Sequence, residues 1–192
     1  MTDKFTGQGS FLFKNGNNYS GEWVNGLPEG FGSMVFDNGD VYEGDWKNGK
    51  MCGLGKYHFF NKAKQRLLEK YEGNFVDGKR EGVGKMVYKN RDLYIGNWQN
   101  DMMTGNGFMA FSSGNAFQGI WRFNQMVRGT FALVNGDRYD GEFKNGHFEG
   151  YGKYYWADGT WYEGLWKEGK PKTGIKYNSQ GVLAEYKDGV LI

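Results

Sequence analysis

The stretch Tyr42-Glu43-Gly44-Asp45-Trp46-Lys47-Asn48-Gly49 decides the fold. Tyr42, Gly44 and Trp46 alternate with Glu43, Asp45 and Lys47, the period-two pattern of a strand with one buried face. Asn48-Gly49 follows, a pair that reverses a chain into a hairpin because both turn positions want positive φ. The return segment carries Gly53, Gly55, Tyr57, Phe59 and Phe60. Residues 42–60 therefore predict a two-stranded β-hairpin.

The same phrase, aromatic-x-Gly-x-aromatic, runs down the chain. It starts and ends on Tyr19 and Trp23, Tyr42 and Trp46, Tyr71 and Phe75, Tyr94 and Trp98, Phe117 and Trp121, Tyr139 and Phe143, and Tyr162 and Trp166. The leading aromatics are 23, 29, 23, 23, 22 and 23 residues apart, a period that marks an array of one small unit. A second glycine turn closes each unit, as in Asp37-Asn38-Gly39, Asn135-Gly136 and Asp158-Gly159. Turns this frequent, without helical periodicity, predict an all-β fold: an elongated, single-layer antiparallel β-meander built of repeated hairpins. The whole of 1–192 reads as one array, with a half repeat over 1–18. Repeats follow over 19–41, 42–70, 71–93, 94–116, 117–138, 139–161 and 162–181, and a half repeat or cap over 182–192.

Glycine inside strands weakens them, so Gly44 and its equivalents need a reason. Gly44 shares a face with Tyr42 and Trp46. A ring from a neighbouring strand is expected to lie flat over the bare backbone there, building a continuous aromatic file. With 35 aromatics among 192 residues, the chain has ample apolar area to order itself.

The pattern Tyr-x-Gly-x-Trp-x-x-Gly-x-x-x-Gly-x-Gly, with a further Gly near its end, resembles the MORN (membrane occupation and recognition nexus) repeat. Residues 19–41 carry it through Tyr19, Gly21, Trp23, Gly26, Gly30, Gly32 and Gly39. Residues 139–161 carry it through Tyr139, Gly141, Phe143, Gly146, Gly150, Gly152 and Gly159. The resemblance implies a binding or positioning role. Similar arrays occur in radial-spoke heads and other parts of motile cilia, and in cytoskeletal collars of protists.

Four features depart from the period. The long gap places six extra residues in the segment from Asn61 to Lys70, which is glycine-free and helix-prone. Its Lys62, Lys64, Arg66 and Lys70 form a candidate contact for an acidic partner; the plainer reading is a longer, solvated hairpin loop. Arg91, Asp101 and Asn124 stand where the pattern wants glycine. Asp and Asn tolerate the left-handed conformation, and Asn90 is expected to take it in place of Arg91. Met102, Met103, Met109 and Met126 lie in the least regular stretch, 94–138, as packing or as an adaptable docking surface. A decayed half repeat at each end suggests capping or, alternatively, head-to-tail self-association.

Catalytic constellations are not signalled. His58 and His147 sit in different units, and Cys52 has no partner motif; no catalytic residue, metal or cofactor is expected. A net charge of +2 supplies no general drive toward nucleic acid. The single cysteine and the absence of an apolar run at the start favour a cytoplasmic protein. The expected role is a non-enzymatic scaffold or adaptor, cytoskeleton-associated, with a cilium or axoneme favoured. Its aromatic file, from Tyr19 to Trp166, is expected to be half covered and to offer a groove to a helix or extended peptide of a partner protein. A peripheral membrane or phosphoinositide-binding module, and a regulatory subunit acting on an enzyme in trans, are the alternatives.

Overall fold

A computed structural model describes residues 5–61 and 66–192. Among the described residues every regular element is a β-strand. The chain divides into two units, Met1–Met102 and Met103–Ile192. The first holds β1 (Gly7–Leu12), β2 (Asn18–Val24), β3 (Leu27–Val35), β4 (Val41–Lys47), β5 (Lys50–Asn61), β6 (Arg66–Val76), β7 (Lys79–Val87) and β8 (Leu93–Gln99). The second holds β9 (Met102–Ala110), β10 (Ala116–Arg122), β11 (Gln125–Ala132), β12 (Arg138–Lys144), β13 (His147–Tyr155), β14 (Trp161–Lys167), β15 (Lys170–Asn178), β16 (Gly181–Lys187) and β17 (Val190–Leu191).

Within each unit every strand pairs antiparallel with its chain neighbours. Each unit is thus a single-layer meander, as the alternation and the turn spacing predict. The register sets glycine against glycine on every strand of β1–β8 and of β9–β15. In the first unit the row runs Gly9, Gly21, Gly32, Gly44, Gly55, Gly73, Gly84, Gly96. In the second it runs Gly107, Gly119, Gly129, Gly141, Gly152, Gly164, Gly174.

These rows are where the rings lie. A Cβ added at Gly32 would strike the Tyr19 ring, and one at Gly55 the Tyr42 ring. The covering ring comes from the hairpin's own first strand, two residues before the glycine, and also spans the cross-strand glycine. A ring from a neighbouring strand was the expectation; the side chain instead lies along its own strand, because two facing glycines clear a track long enough for a phenol. Its hydroxyl then reaches the backbone beyond. Tyr19 donates to the Glu22 carbonyl at 3.0 Å, Tyr42 to that of Asp45 at 3.0 Å, and Tyr139 to that of Glu142 at 3.0 Å. A bulge follows the glycine, between Gly21 and Glu22 and between Gly44 and Asp45, and a local ladder break of this kind frees carbonyls for such a donor.

Two further links join one repeat to the next. The Trp46 indole donates to the Gly32 carbonyl at 3.1 Å, and Trp166 to that of Gly152 at 3.2 Å. The Asn48 N–H donates to the Glu29 carboxylate at 2.8 Å, and the pattern recurs from Asn100 to Glu81 and from Glu168 to Glu149. These three hairpin turns are therefore held by a carboxylate of the preceding hairpin, and those at Asn25 and Asp188 by the hydroxyls of Thr6 and Thr173.

The turns follow the sequence closely. Asn48 and Gly49 have φ of 49° and 77°, and Asp101 and Asn124, at 67° and 65°, take the place glycine holds elsewhere. Arg91 takes it too, at φ 72°. Asn90 instead bonds through its side chain to the Asp92 carboxylate at 2.7 Å and accepts from the Asp92 N–H at 3.1 Å. The short side chain is more useful bridging the turn than twisting it. The insertion lengthens the hairpin: β5 and β6 run 12 and 11 residues, paired out to Asn61 against Arg66. The helix-prone reading of 61–70 gives way to strand at Asn61 and from Arg66 onward; Lys62 and Lys64 lie outside the described residues.

A left-handed arginine carries a steric penalty that glycine does not. Arg91→Gly is expected to raise stability by about 1 kcal/mol, measured as a higher midpoint in urea with an unchanged slope.

Candidate interaction face

The two faces of each sheet differ sharply. One carries the leading and trailing aromatics, and they are interior. Tyr19, Tyr42, Tyr71, Tyr94, Phe117, Tyr139 and Tyr162 are all 0% exposed. Trp23, Trp46, Phe75, Trp98, Trp121, Phe143 and Trp166 are buried as well. Tyr19, Tyr42, Tyr71 and Tyr139 each stand edge-on between the aromatic ending their own phrase and the one ending the next. Tyr19 meets Trp23 at 5.0 Å and Trp46 at 5.2 Å, with interplanar angles of 86° and 78°. T-shaped pairs of this kind add about 0.5–1.5 kcal/mol beyond area. These fourteen rings are the core, and the half-covered file expected from the sequence is in fact closed over.

What remains open on that face is a second column the sequence reading missed. Phe13, Phe36, Phe59 and Tyr88 in the first unit, and Phe111, Leu133 and Trp156 in the second, are half-buried. Phe36 stacks on Tyr57 at 5.7 Å and Trp156 packs against Tyr154 at 5.0 Å. Most of them start the closing turn: the Phe36, Tyr88, Phe111 and Trp156 N–H groups donate to the carbonyls of Asp40, Asp92, Asn115 and Thr160 at 2.9 Å. A signal was present, since these positions recur at 23, 23, 29, 23, 22 and 23 residues, the same set of gaps as the leading aromatics with the long one a repeat later. Next to Phe13, an apolar depression of about 330 Å³ is lined by Phe5, Phe11, Phe13 and Trp23.

Acidic residues brace the column from its edge. The Asp137 carboxylate accepts from the Tyr154 hydroxyl at 2.6 Å, the Ala157 N–H at 2.9 Å and the Asn135 amide at 2.9 Å. That hydrogen bonding, the phenol first, holds Asp137 below the ordinary carboxylate range. Asp40 accepts in the same way from Tyr57, Phe60 and Asn38.

The remaining sequence-level candidates are dispersed. Lys70 is half-exposed and pairs with Glu72 at 3.2 Å; Arg66 pairs across the hairpin with Asn61. Met103 and Met109 are buried, and Met102 and Met126 half-buried, so the methionines mostly serve packing. Burial, then the Asp45 charge, pushes the half-buried Cys52 thiol up, away from nucleophilic thiolate. Among the described residues no group of three or more His, Cys, Asp or Glu is placed to hold a metal ion. Among the described residues, too, no helix is long and apolar enough to cross a membrane.

A closed tyrosine file on a glycine row, repeated hairpin by hairpin, defines a β-meander repeat protein. The MORN repeat pattern matches residues 3–18, 19–41, 42–64, 71–93, 94–116, 117–138, 139–161 and 162–172, and the chain belongs to the MORN repeat family. Comparison with curated protein sequences finds no match. Solved structures similar to this chain include the SAS-4 (dCPAP) TCP domain of Drosophila melanogaster in complex with a proline-rich motif of Ana2 (dSTIL). It is 15% identical, with 91% of this chain and 85% of that chain covered and a TM-score of 0.48. The TCP10 domain of Danio rerio CPAP in complex with a peptide of STIL is 13% identical, covering 97% and 96%, with a TM-score of 0.30.

Burial raises the core phenols, Tyr19 and Tyr71 to about 12 and Tyr42, Tyr94 and Tyr139 further. A phenol whose folded pKa lies above its unfolded value near 10 binds its proton more tightly in the array. That stabilisation is complete below pH ~10 and is lost as pH rises through the folded values. Tyrosinate absorbance is therefore expected to rise above pH ~10 together with loss of near-ultraviolet circular dichroism. Free titration at ordinary phenol pKa with the dichroism intact would contradict the burial.

Proposed function

We propose that this chain is a non-enzymatic scaffold or adaptor that holds a helix or extended segment of a partner protein against its aromatic face. The observation that carries this is the half-buried column of Phe13, Phe36, Phe59 and Tyr88, with Phe111, Leu133 and Trp156 in the second unit. One anchor recurs per hairpin, and two strands at about 4.8 Å set the anchors about 10 Å apart. Two turns of an α-helix rise about 10.5 Å over seven residues; one turn of polyproline II rises about 9.3 Å over three. Either segment can set one side chain on each anchor. The core rings from Tyr19 to Trp166 shape and stiffen this face from beneath.

A cytoskeletal assembly, ciliary or axonemal and of the radial-spoke kind, is the setting we favour, on the family resemblance. Affinity purification from the native cell tests both parts. Wild type is expected to recover cytoskeletal proteins, and Phe36→Ser with Tyr88→Ser to lower their yield about tenfold, as loss of interface anchors does, while the fold is kept. Recovery of an enzyme instead supports the regulatory alternative, and salt-sensitive flotation with phosphoinositide vesicles supports the membrane one; either result overturns the scaffold reading.

A further inference from the structure

The opposite face of the first unit carries a charge pattern that its own fold uses only in part, at Glu72, which pairs with Lys70 and Lys56. Ser33, Glu43, Lys56, Glu72 and Lys85 lie directly across from one another on β3 to β7. The four charged members alternate in sign at about 4.8 Å intervals. They stay accessible: Glu43 and Lys85 are exposed, and the Lys56 and Glu72 side chains, 3.8 Å apart, are 56% and 36% exposed. Two residues along the strands runs a parallel row of Val35, Val41, His58, Lys70, Val87 and Leu93. On the other side of the charges, Phe31, Leu54 and Val83 are 55%, 67% and 59% exposed. Phe31 and Leu54 wall a depression of about 310 Å³.

An alternating row of four charges is complementary to its own reverse. We infer that this face of β3–β8 packs on the same face of a second copy, about a two-fold axis parallel to the strands between β5 and β6. That operator sets Glu43 against the partner's Lys85 and Lys56 against the partner's Glu72. It sets Val35 against the partner's Leu93 and Val41 against the partner's Val87. It also brings the partner's Val83 over Asp45 on β4, between Phe31 and Leu54. Across the centre His58 meets the partner's Lys70.

Other arrangements fail on charge. A two-fold axis perpendicular to the strands sets Glu43 against its own copy. In the second unit the equivalent row reads Asp140, Lys153, Glu163, Ile175, Glu185, one cation among three acids, and no two-fold axis matches every charge to its opposite. The geometry also suits the sheet. Two faces with the same right-handed twist pack with strands about 30° from parallel. The six strands β3–β8, about seven residues each, offer about 700 Å² a side, within the size range of a standard protein interface.

Sedimentation velocity on the full chain across a concentration series tests this. Wild type is expected to dimerise, more weakly as salt rises. Glu43→Lys and Lys85→Glu, each alone, are expected to weaken the dimer about tenfold or more by setting like charges together. Mixing the two variants is expected to restore association to within about threefold of wild type, because each altered charge then meets its opposite. Mixing cannot repair a folding defect, and circular dichroism melts of each variant check the fold separately. A wild type that stays monomeric, a dimer indifferent to both variants, or a mixture that associates no better than its components overturns the inference.

Discussion

The contact on which everything else rests is a phenol lying along its own strand over two facing glycines. It accounts for three things at once. Glycine in a strand centre normally costs about 0.5–1 kcal/mol, yet here its missing Cβ is what admits the Tyr139 ring over Gly141 and Gly152. The bulge that follows frees the carbonyls of Glu142 and Glu149, and the Tyr139 hydroxyl takes both, at 3.0 and 3.3 Å. The flattened ring then meets Phe143 and Trp166 edge-on, each at 5.3 Å, and Phe148 face to face at 3.9 Å. A single-layer sheet has no second layer to bury its apolar side. Rings laid flat on the backbone take that role.

Cohesion between repeats follows from the same arrangement. Tyr19, Tyr42, Tyr71 and Tyr139 each share an aromatic with the next hairpin, the Trp23, Trp46, Trp98 and Trp166 indoles reach back to row glycines, and Glu29 or Glu149 holds the following turn. Stability of this kind is a sum of nearest-neighbour terms. Position five shows how little the hydroxyl alone matters. Phe117 lacks it, is still 0% exposed, and meets Trp121 and Phe143 at 5.2 Å.

Much of this was readable in the chain. Tyr42-x-Gly44-x-Trp46 and Asn48-Gly49 predict strand, face and turn, and all three are present. Repeat spacing shows which residues are equivalent, and the aromatic pattern shows they pack. It does not show how far each ring tilts, so the tyrosines read as a docking face when they are the sealed interior. The accessible column through Phe36 and Tyr88 keeps the same period but has no fixed residue type, since Leu133 and Trp156 also belong to it. Arg91 was misread for a similar reason: propensity favours Asn90 for the twisted position, whereas the Asn90 side chain is committed to Asp92. The charge row on the other face was invisible without register, because Glu43, Lys56, Glu72 and Lys85 are unevenly spaced in sequence and become neighbours only once the strands are paired.

A double-mutant cycle at one hairpin tests the ring-on-glycine contact most directly. The three atoms nearest a Cβ at Gly152 all belong to the Tyr139 side chain. Gly152→Ala in the wild-type chain should therefore cost about 3 kcal/mol or more, in the range of severe core overpacking. In a Tyr139→Leu background, which keeps an apolar side chain but removes the ring, the same change should cost nothing or stabilise by up to about 1 kcal/mol, the ordinary gain from replacing a strand glycine. Equal costs in the two backgrounds, measured by urea unfolding, would contradict the account.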